Sequence, residues 1–494
     1  MAHWAIQALV WVMLLSISTP FIGCAPTPGA SPSIRQSSGS RLVQQMTFPP
    51  LEFTPPGINR DVERMVLPNG IVLFLAADHS LPTMTISAVF KAGSIYEGPT
   101  TRGVAQLTAA QLASGGTRSL NATKLTDELE VLGISAESSV SPETLSLTLT
   151  AHAKDADRAL DLFADMLRYP SFDTAALQSS KGRVVDYLRR VRDTPTQLAS
   201  QEFARILYTD EHPLGHRLTP AEVRTIQRLD IQEYYDRLIR PDNLWLAVVG
   251  AFSTTDLADM IHSRFADWQP QDSRRPPPLA QVKPRFEPGL FLLPQPLTQT
   301  SVIVGHFGVD RTNPDRNAIE AMNLILGGNG LTGRLSERLR TKEGKTYWVA
   351  SSFPTTSRDI SLFQITLQTR TENVVSVVMA IQEEMRRLQT TPVSMEELTT
   401  AKGTLINTFV SRFPSRSKTV LTLLESEING NPPEYFDTLL NQYETIRIQD
   451  VQRVAQRYLH PESATILIVG DTPPIEAAMK TYVPVHRLAL PPAE

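Results

Sequence analysis

Few side chains of this 494-residue chain have the type and spacing to do chemistry. There are nine histidines, yet neither H-E-x-x-H nor H-x-x-E-H occurs. No helix therefore carries two imidazoles one turn apart with a glutamate between them, the arrangement of a catalytic zinc site. His212 and His216 have a suitable spacing, but Pro213 and Gly215 deny them a helical face, and both read as loop residues. Gly328-Asn329-Gly330-Leu331-Thr332-Gly333 fits G-x-G-x-x-G. A dinucleotide site needs a strand immediately before such a loop. Residues 317–326, with an apolar stripe at Ala318, Ala321, Met322 and Ile325, have a helical period instead, so no cofactor is expected there. The single cysteine, Cys24, excludes intramolecular disulfides and cysteine-based zinc sites.

Composition narrows the classes further. The chain has 47 basic and 51 acidic residues, a net charge of -4, and no dense Lys/Arg block. It offers no electrostatic footprint for nucleic acid. The Arg189-Arg190-Val191-Arg192 cluster reads as a solvated helix face. At 41% hydrophobic the chain is globular, and its length suits roughly two to four domains.

The apolar run at 8–22 has signal-peptide length and ends in Phe21-Ile22-Gly23-Cys24. That ending resembles the bacterial lipobox, in which the cysteine is lipidated. It implies a lipoprotein signal over 1–24, lipidation at Cys24, and an exported, membrane-anchored protein facing the periplasm. Ala25 stands where an aspartate often marks inner-membrane retention, which favours the outer membrane. A plain cleaved signal or an N-terminal anchor is the alternative. Residues 25–60 are rich in Pro and Ser and read as a tether.

The ordered elements start near Arg64. Asn69-Gly70 between two apolar runs predicts a hairpin over 65–75. A strand is expected at 83–92 and a buried helix at 103–117, stopped by Gly115-Gly116. That helix is chemically quiet: its polar side chains are Gln106, Thr108, Gln111 and Ser114. Further helices are expected at 121–132 (Asn121 as N-cap), 154–167, 174–192, 196–207 and 230–238. Two strands are expected within 134–151, and a buried one at 244–249. Residues 269–288 are Pro-rich and polar and read as a linker between domains.

Beyond the linker the pattern returns. Arg240-Pro241-Asp242-Asn243 and its apolar strand match His460-Pro461-Glu462-Ser463 and its strand, 220 residues later (240 to 460). Residues 177–182 match 398–403, with Lys181-Gly182 answering Lys402-Gly403, and Gly115-Gly116 answers Gly327-Gly328. Several anchors in order argue for duplication. The expected fold is α+β: two duplicated domains, 61–268 and 289–494, each an antiparallel-rich sheet flanked by helices.

The run from Ser87 through Gly93-Ser94, Glu97 and Arg102-Gly103-Val104-Ala105-Gln106 to Gly115-Gly116-Thr117 resembles the N-terminal signature of the insulinase/pitrilysin (M16) family of zinc peptidases. His212-Pro213-Leu214-Gly215 and the stretch from Pro241 to Gly250 resemble it too. Gly327-Gly328, then Ser336-Glu337-Arg338-Leu339-Arg340 through Tyr347, is similar to the C-terminal signature. The resemblance covers about 61 to 475 and suits the small two-domain branch of the family. The family's centre is His-x-x-Glu-His on a helix, completed by a glutamate from a second helix, with zinc activating a water. The resemblance puts Gln106, Ala109 and Ala110 at the three helix positions and Tyr187 at the distal glutamate. An amide, two methyls and a phenol make no zinc site, and Asp186 lies about 100° off the needed face. Members of the family also use an Arg and a Tyr seven apart to hold substrate, and Arg340 and Tyr347 match in type and spacing. Both are donors suited to a substrate carbonyl; a surface Arg and a core Tyr is the alternative.

The resemblance thus implies a subunit that binds no metal, gives Arg340 and Tyr347 to peptide substrate, and pairs with an M16 homologue bearing H-x-x-E-H and zinc. A reading of a different class is a non-catalytic structural or peptide-binding scaffold of the same fold. A third is an independent peptidase with a displaced metal site, which predicts zinc in the single chain.

Overall fold

The computed structural model describes residues 53–269, 289–480 and 484–490. The expected signal, Cys24, most of the tether and almost all of the 269–288 linker lie outside the described residues. Among the described residues no helix is long and apolar enough to cross a membrane.

The first half opens with β1 (Glu63–Val66) and β2 (Val72–Ala77), an antiparallel pair joined through Asn69-Gly70. Gly70 takes the left-handed φ of 94° that such a turn requires. The Asn69 amide donates to the carbonyls of Phe265 (2.7 Å) and Trp268 (3.0 Å), tying the turn to a distant helix end. There follow β3 (Thr83–Phe90), α1 (Val104–Ser114), α2 (Ala122–Val131), β4 (Ser135–Val140) and β5 (Leu145–His152). Next come α3 (Ala156–Arg168), α4 (Thr174–Arg192), α5 (Pro195–Tyr208), α6 (Pro220–Thr225), α7 (Arg228–Leu238), β6 (Leu244–Gly250) and α8 (Thr254–Phe265). Asn121 caps α2 by accepting from Lys124 N at 2.9 Å. The helices α6 and α8 go beyond the sequence expectation, although α8 has a legible pattern: Ser253 caps it, and Leu257, Ile261 and Phe265 are its buried stripe.

The second half holds β7 (Gly289–Pro294), β8 (Thr300–Phe307), α9 (Arg316–Leu326), a π-helical segment Ser336–Lys342, β9 (Val349–Ser352) and β10 (Leu362–Thr369). It continues with α10 (Val374–Thr390), α11 (Met395–Val410), α12 (Arg416–Ile428), α13 (Tyr435–Thr445), α14 (Ile448–Tyr458), β11 (Thr465–Gly470), α15 (Pro473–Met479) and β12 (Val485–Arg487).

Two six-stranded sheets result, ordered β1-β2-β6-β3-β5-β4 and β12-β7-β11-β8-β10-β9. Five strands correspond one to one. Only the outermost differ: β1 runs antiparallel to β2, whereas β12 runs parallel to β7. Elsewhere the pairs are antiparallel except β2–β6 and its counterpart β7–β11. This is the duplicated, antiparallel-rich α+β architecture that the sequence predicts. The repeated lysines have a structural cause. Lys181 Nζ donates to Arg224 O (3.1 Å) and Lys402 Nζ to Glu444 O (2.7 Å), each closing a helix C-terminus whose carbonyls lack partners.

The halves also exchange helices. Every residue of β8 and β11 is buried, and a strand apolar on both faces must be covered on both. On one face Ile303, Leu467 and Val469 cluster with Leu198, Ala199 and Phe203 of α5, a helix from the first half. Residues alternate across a strand, so Val302, Val304, Ile466 and Ile468 face the other way, where α10 packs against β8. Reciprocally, α12 of the second half packs on β2 and β6 of the first sheet. Its Glu427 accepts from Arg64 (Nε 2.6 Å, Nη2 2.9 Å) and from the Trp245 indole (3.2 Å).

Candidate functional site

Helix α1 is buried on nearly all sides; Val104, Ala105, Leu107, Thr108, Ala109, Gln111 and Leu112 are all enclosed. Its start has no side-chain cap from the preceding residue, Gly103, which has a left-handed φ of 90°. The first turn is capped instead by Glu97, whose oxygens accept from Gly103 N (3.0 Å) and Ala105 N (2.9 Å). A carboxylate there satisfies orphan amides and opposes the helix dipole. Burial nevertheless pushes the Glu97 carboxyl up to about 7, against the two hydrogen bonds and the nearby Arg102, which both favour its ionised form. Sequence reasoning missed this residue because capping rules look within a turn of the helix start.

Helix α4 runs beside α1, and the Gln111 amide donates to Ser180 Oγ at 3.2 Å. Between them opens a cavity of about 630 Å³. Gln106, Ala109 and Ala110 of α1 line it, with Tyr187 and Arg183 of α4, Ser138 of β4, Ser141 and Pro142 of the turn after it, and His216. The four positions expected to replace a zinc site therefore meet at one place. Gln106 and Tyr187 are exposed, and Ala109 is buried. Asp186 does not line the cavity and pairs with Arg189 at 3.4 Å. His216 is a loop residue, as expected, and its Nε2 lies 2.8 Å from Glu222 Oε1. Among the described residues no three His, Cys, Asp or Glu side chains converge on a possible metal position. At the four expected positions, a primary amide and two methyl groups on α1 face a phenol on α4, a set that does not fit zinc.

Arg340 and Tyr347 are not among the residues that line that cavity. Arg340 sits on the π-helical segment, a rare geometry that recurs at functional positions. The segment closes with Glu343 N donating to Arg338 O (2.9 Å) and Lys345 N to Leu339 O (2.8 Å). The stretch after it is pinned from below. Thr346 Oγ1 donates to Gln368 O (2.8 Å), and Thr369 Oγ1 donates to Lys345 O (2.6 Å). Tyr347 stands on this pinned backbone 86% exposed, beside Trp348 at 40%. It is not a core side chain. Arg340 is exposed as well, and among the described residues neither it nor Tyr347 makes a side-chain hydrogen bond or ion pair.

Two other features resolve as structure. The 328–333 loop follows helix α9 rather than a strand, and Asn329 Oδ1 satisfies its amides by accepting from Leu331 N and Thr332 N at 3.0 Å. A cavity of about 970 Å³ lies among α9, the π-helical segment, α10 and α11. Its charges largely neutralise one another: Arg334 pairs with Glu397 (2.6 Å), and Arg338 with Glu343, Glu383 and Glu384 (3.0, 2.7 and 3.1 Å).

With this geometry in hand, the chain can be set beside known proteins. The family described as Insulinase (Peptidase family M16) matches residues 72–220, and the one described as Peptidase M16 inactive domain matches 225–405. A Helicobacter pylori protein named Non-peptidase homolog YmxG is 24% identical over 404 residues, covering 80% of this chain and 90% of that one. An uncharacterized zinc protease of Rickettsia bellii is 20% identical over 420 residues, covering 82% and 96%. The crystal structure of a peptidase M16 inactive domain from Pseudomonas fluorescens superposes with a TM-score of 0.74 at 25% identity, covering 83% of this chain and 98% of that one. A Helicobacter pylori protease structure shares the fold with a TM-score of 0.73 at 18% identity, covering 83% and 99%. Both halves are matched in order, and the chain belongs to the insulinase (M16) peptidase family.

Proposed function

We propose that this chain is the non-zinc subunit of a two-chain M16 peptidase acting on peptides. In this reading Arg340 and Tyr347 hold the substrate, and a partner bearing H-x-x-E-H brings the metal and the general base. The observation that carries it is the display of Arg340 and Tyr347: exposed, without side-chain partners among the described residues, and mounted on backbone pinned by Thr346 and Thr369. A guanidinium and a phenol O–H so presented can both donate to a substrate carbonyl oxygen and stabilise charge as it develops there. The cavity at Gln106, Ala109, Ala110 and Tyr187 supports the same division of labour, because its donor set leaves the metal to the other chain. We further propose a lipid anchor at Cys24, which would hold the assembly at a membrane facing the periplasm; fatty-acid labelling lost in Cys24→Ser tests it.

The decisive experiment mixes the purified chain with an M16 homologue that carries the zinc motif. Zinc-dependent peptide cleavage is expected on mixing and from neither chain alone at the same rate. Arg340→Ala or Tyr347→Phe is expected to lower kcat by about 10²- to 10³-fold, the usual effect of losing one such donor. Full activity in both variants would remove the catalytic role. Assembly without cleavage would favour the scaffold reading, which the name of the Helicobacter relative also suits.

A further inference from the structure

The cavity between α1 and α4 is lined by cationic groups. Arg102, only 8% exposed, lines it. Among the described residues its guanidinium makes one hydrogen bond, from Nη2 to Glu211 O at 3.3 Å, and no ion pair. Arg183, on the facing wall, is exposed, donates from Nη2 to Ser180 Oγ at 2.9 Å and likewise makes no ion pair among the described residues. Among the described residues the one carboxylate lining the cavity is Glu97, whose oxygens accept from Gly103 N and Ala105 N at the start of α1. Ser94 and Ser138 add hydroxyls to the wall. Arg102 has the Glu97 carboxyl nearby, but that group's oxygens are held by backbone amides, so most of the guanidinium's forked donors remain open to a carboxylate with two oxygens. A volume of about 630 Å³ admits a side chain or chain end with room for flanking residues.

We propose that this cavity binds the carboxylate of an acidic peptide through Arg102 and Arg183, so that the erased metal position has become an anion-binding subsite. The inference rests on the peptide-handling reading only for the ligand being a peptide. It concerns a different half of the molecule from Arg340 and Tyr347 and needs no partner chain. The carboxylate can come from a Glu or Asp side chain or from a peptide C-terminus.

The test uses the full chain alone and fluorescence-anisotropy titration with four versions of one short unstructured peptide: a central Glu or Gln, each with a free or an amidated C-terminus. The peptide with both carboxylates is expected to bind at least about tenfold more tightly than the one with neither, the scale of one charge-assisted contact. The preference should shrink as salt rises. Whichever single change removes the preference identifies the source of the carboxylate. Arg183→Ala, a change at an exposed position, should abolish the preference, whereas Arg189→Ala, on the same helix but outside the cavity, should keep it. Equal binding of all four peptides, or a preference that survives Arg183→Ala, overturns the proposal. Cleavage by the mixed chains that depends on Arg340, without any acidic preference here, would refute this inference and leave the function standing. An acidic preference without cleavage on mixing would do the reverse.

Discussion

Glu97→Gln is the perturbation with the clearest sign. In the folded chain the carboxyl titrates near 7, against 4.5 for an ordinary glutamate, because it is buried under the start of α1. The folded state therefore holds the proton more tightly than the unfolded state. By linkage, the stabilisation from protonation is fully present below the ordinary value and is lost as pH rises through 7. The separation of the two values corresponds to about 3 kcal/mol in all, of which about 2 to 3 kcal/mol falls between pH 5 and pH 8. Glutamine has nearly the same shape, keeps one acceptor oxygen for Gly103 or Ala105, and does not titrate. Stability of the natural chain minus that of Glu97→Gln should thus decline by this amount across the window, with the other titrating groups cancelling. Urea denaturation of both proteins at a series of pH values measures it. A difference that stays flat would show that the two amide hydrogen bonds and Arg102 outweigh desolvation and keep Glu97 ionised throughout, and the burial argument would fail. A difference that grows with pH would refute it outright.

Two further outcomes are expected. Phe203 on α5 is fully buried against the second sheet, so Phe203→Ala should cost about 3–5 kcal/mol and lower the urea midpoint, whereas a change below about 1 kcal/mol would deny the helix exchange its stabilising role. Restoring Gln106→His, Ala109→Glu, Ala110→His and Tyr187→Glu together should yield about one zinc per chain by metal analysis, because these positions still share one cavity; a folded variant without zinc would mean that α1 and α4 no longer hold the metal geometry.

What the sequence made legible was local or repeated. Asn69-Gly70 announced its turn, Asn121 its cap, and Lys181 and Lys402 their duplication, since each depends on residues near in sequence or on a copied pattern. The helix exchange was not legible. An apolar stripe on α5 says that it must be buried, not on which sheet, and only the all-buried strands β8 and β11 demand a cover from elsewhere. The role of Glu97 escaped for a similar reason: the chain from 97 to 103 must first fold back before the carboxylate reaches the amides. Residue type alone left Tyr347 open to a core position; the structure shows it 86% exposed, directly after backbone anchored at Lys345 and Thr346.

The same contrast bears on the cavity between α1 and α4. Ala109 and Ala110 are small and α1 is packed on nearly every side, so the helix would fold equally well with no cavity beside it. The opening is lined instead by polar and charged groups that packing alone does not require. Arg102 is buried at its wall with the Glu97 carboxyl nearby, Arg183 and Tyr187 stand exposed on α4, and Glu143 in the turn after β4 pairs with Arg311 and accepts from Arg358 N at 2.9 Å. A wall with two guanidinium groups beside an amide and two methyl groups suits an anion better than a cation.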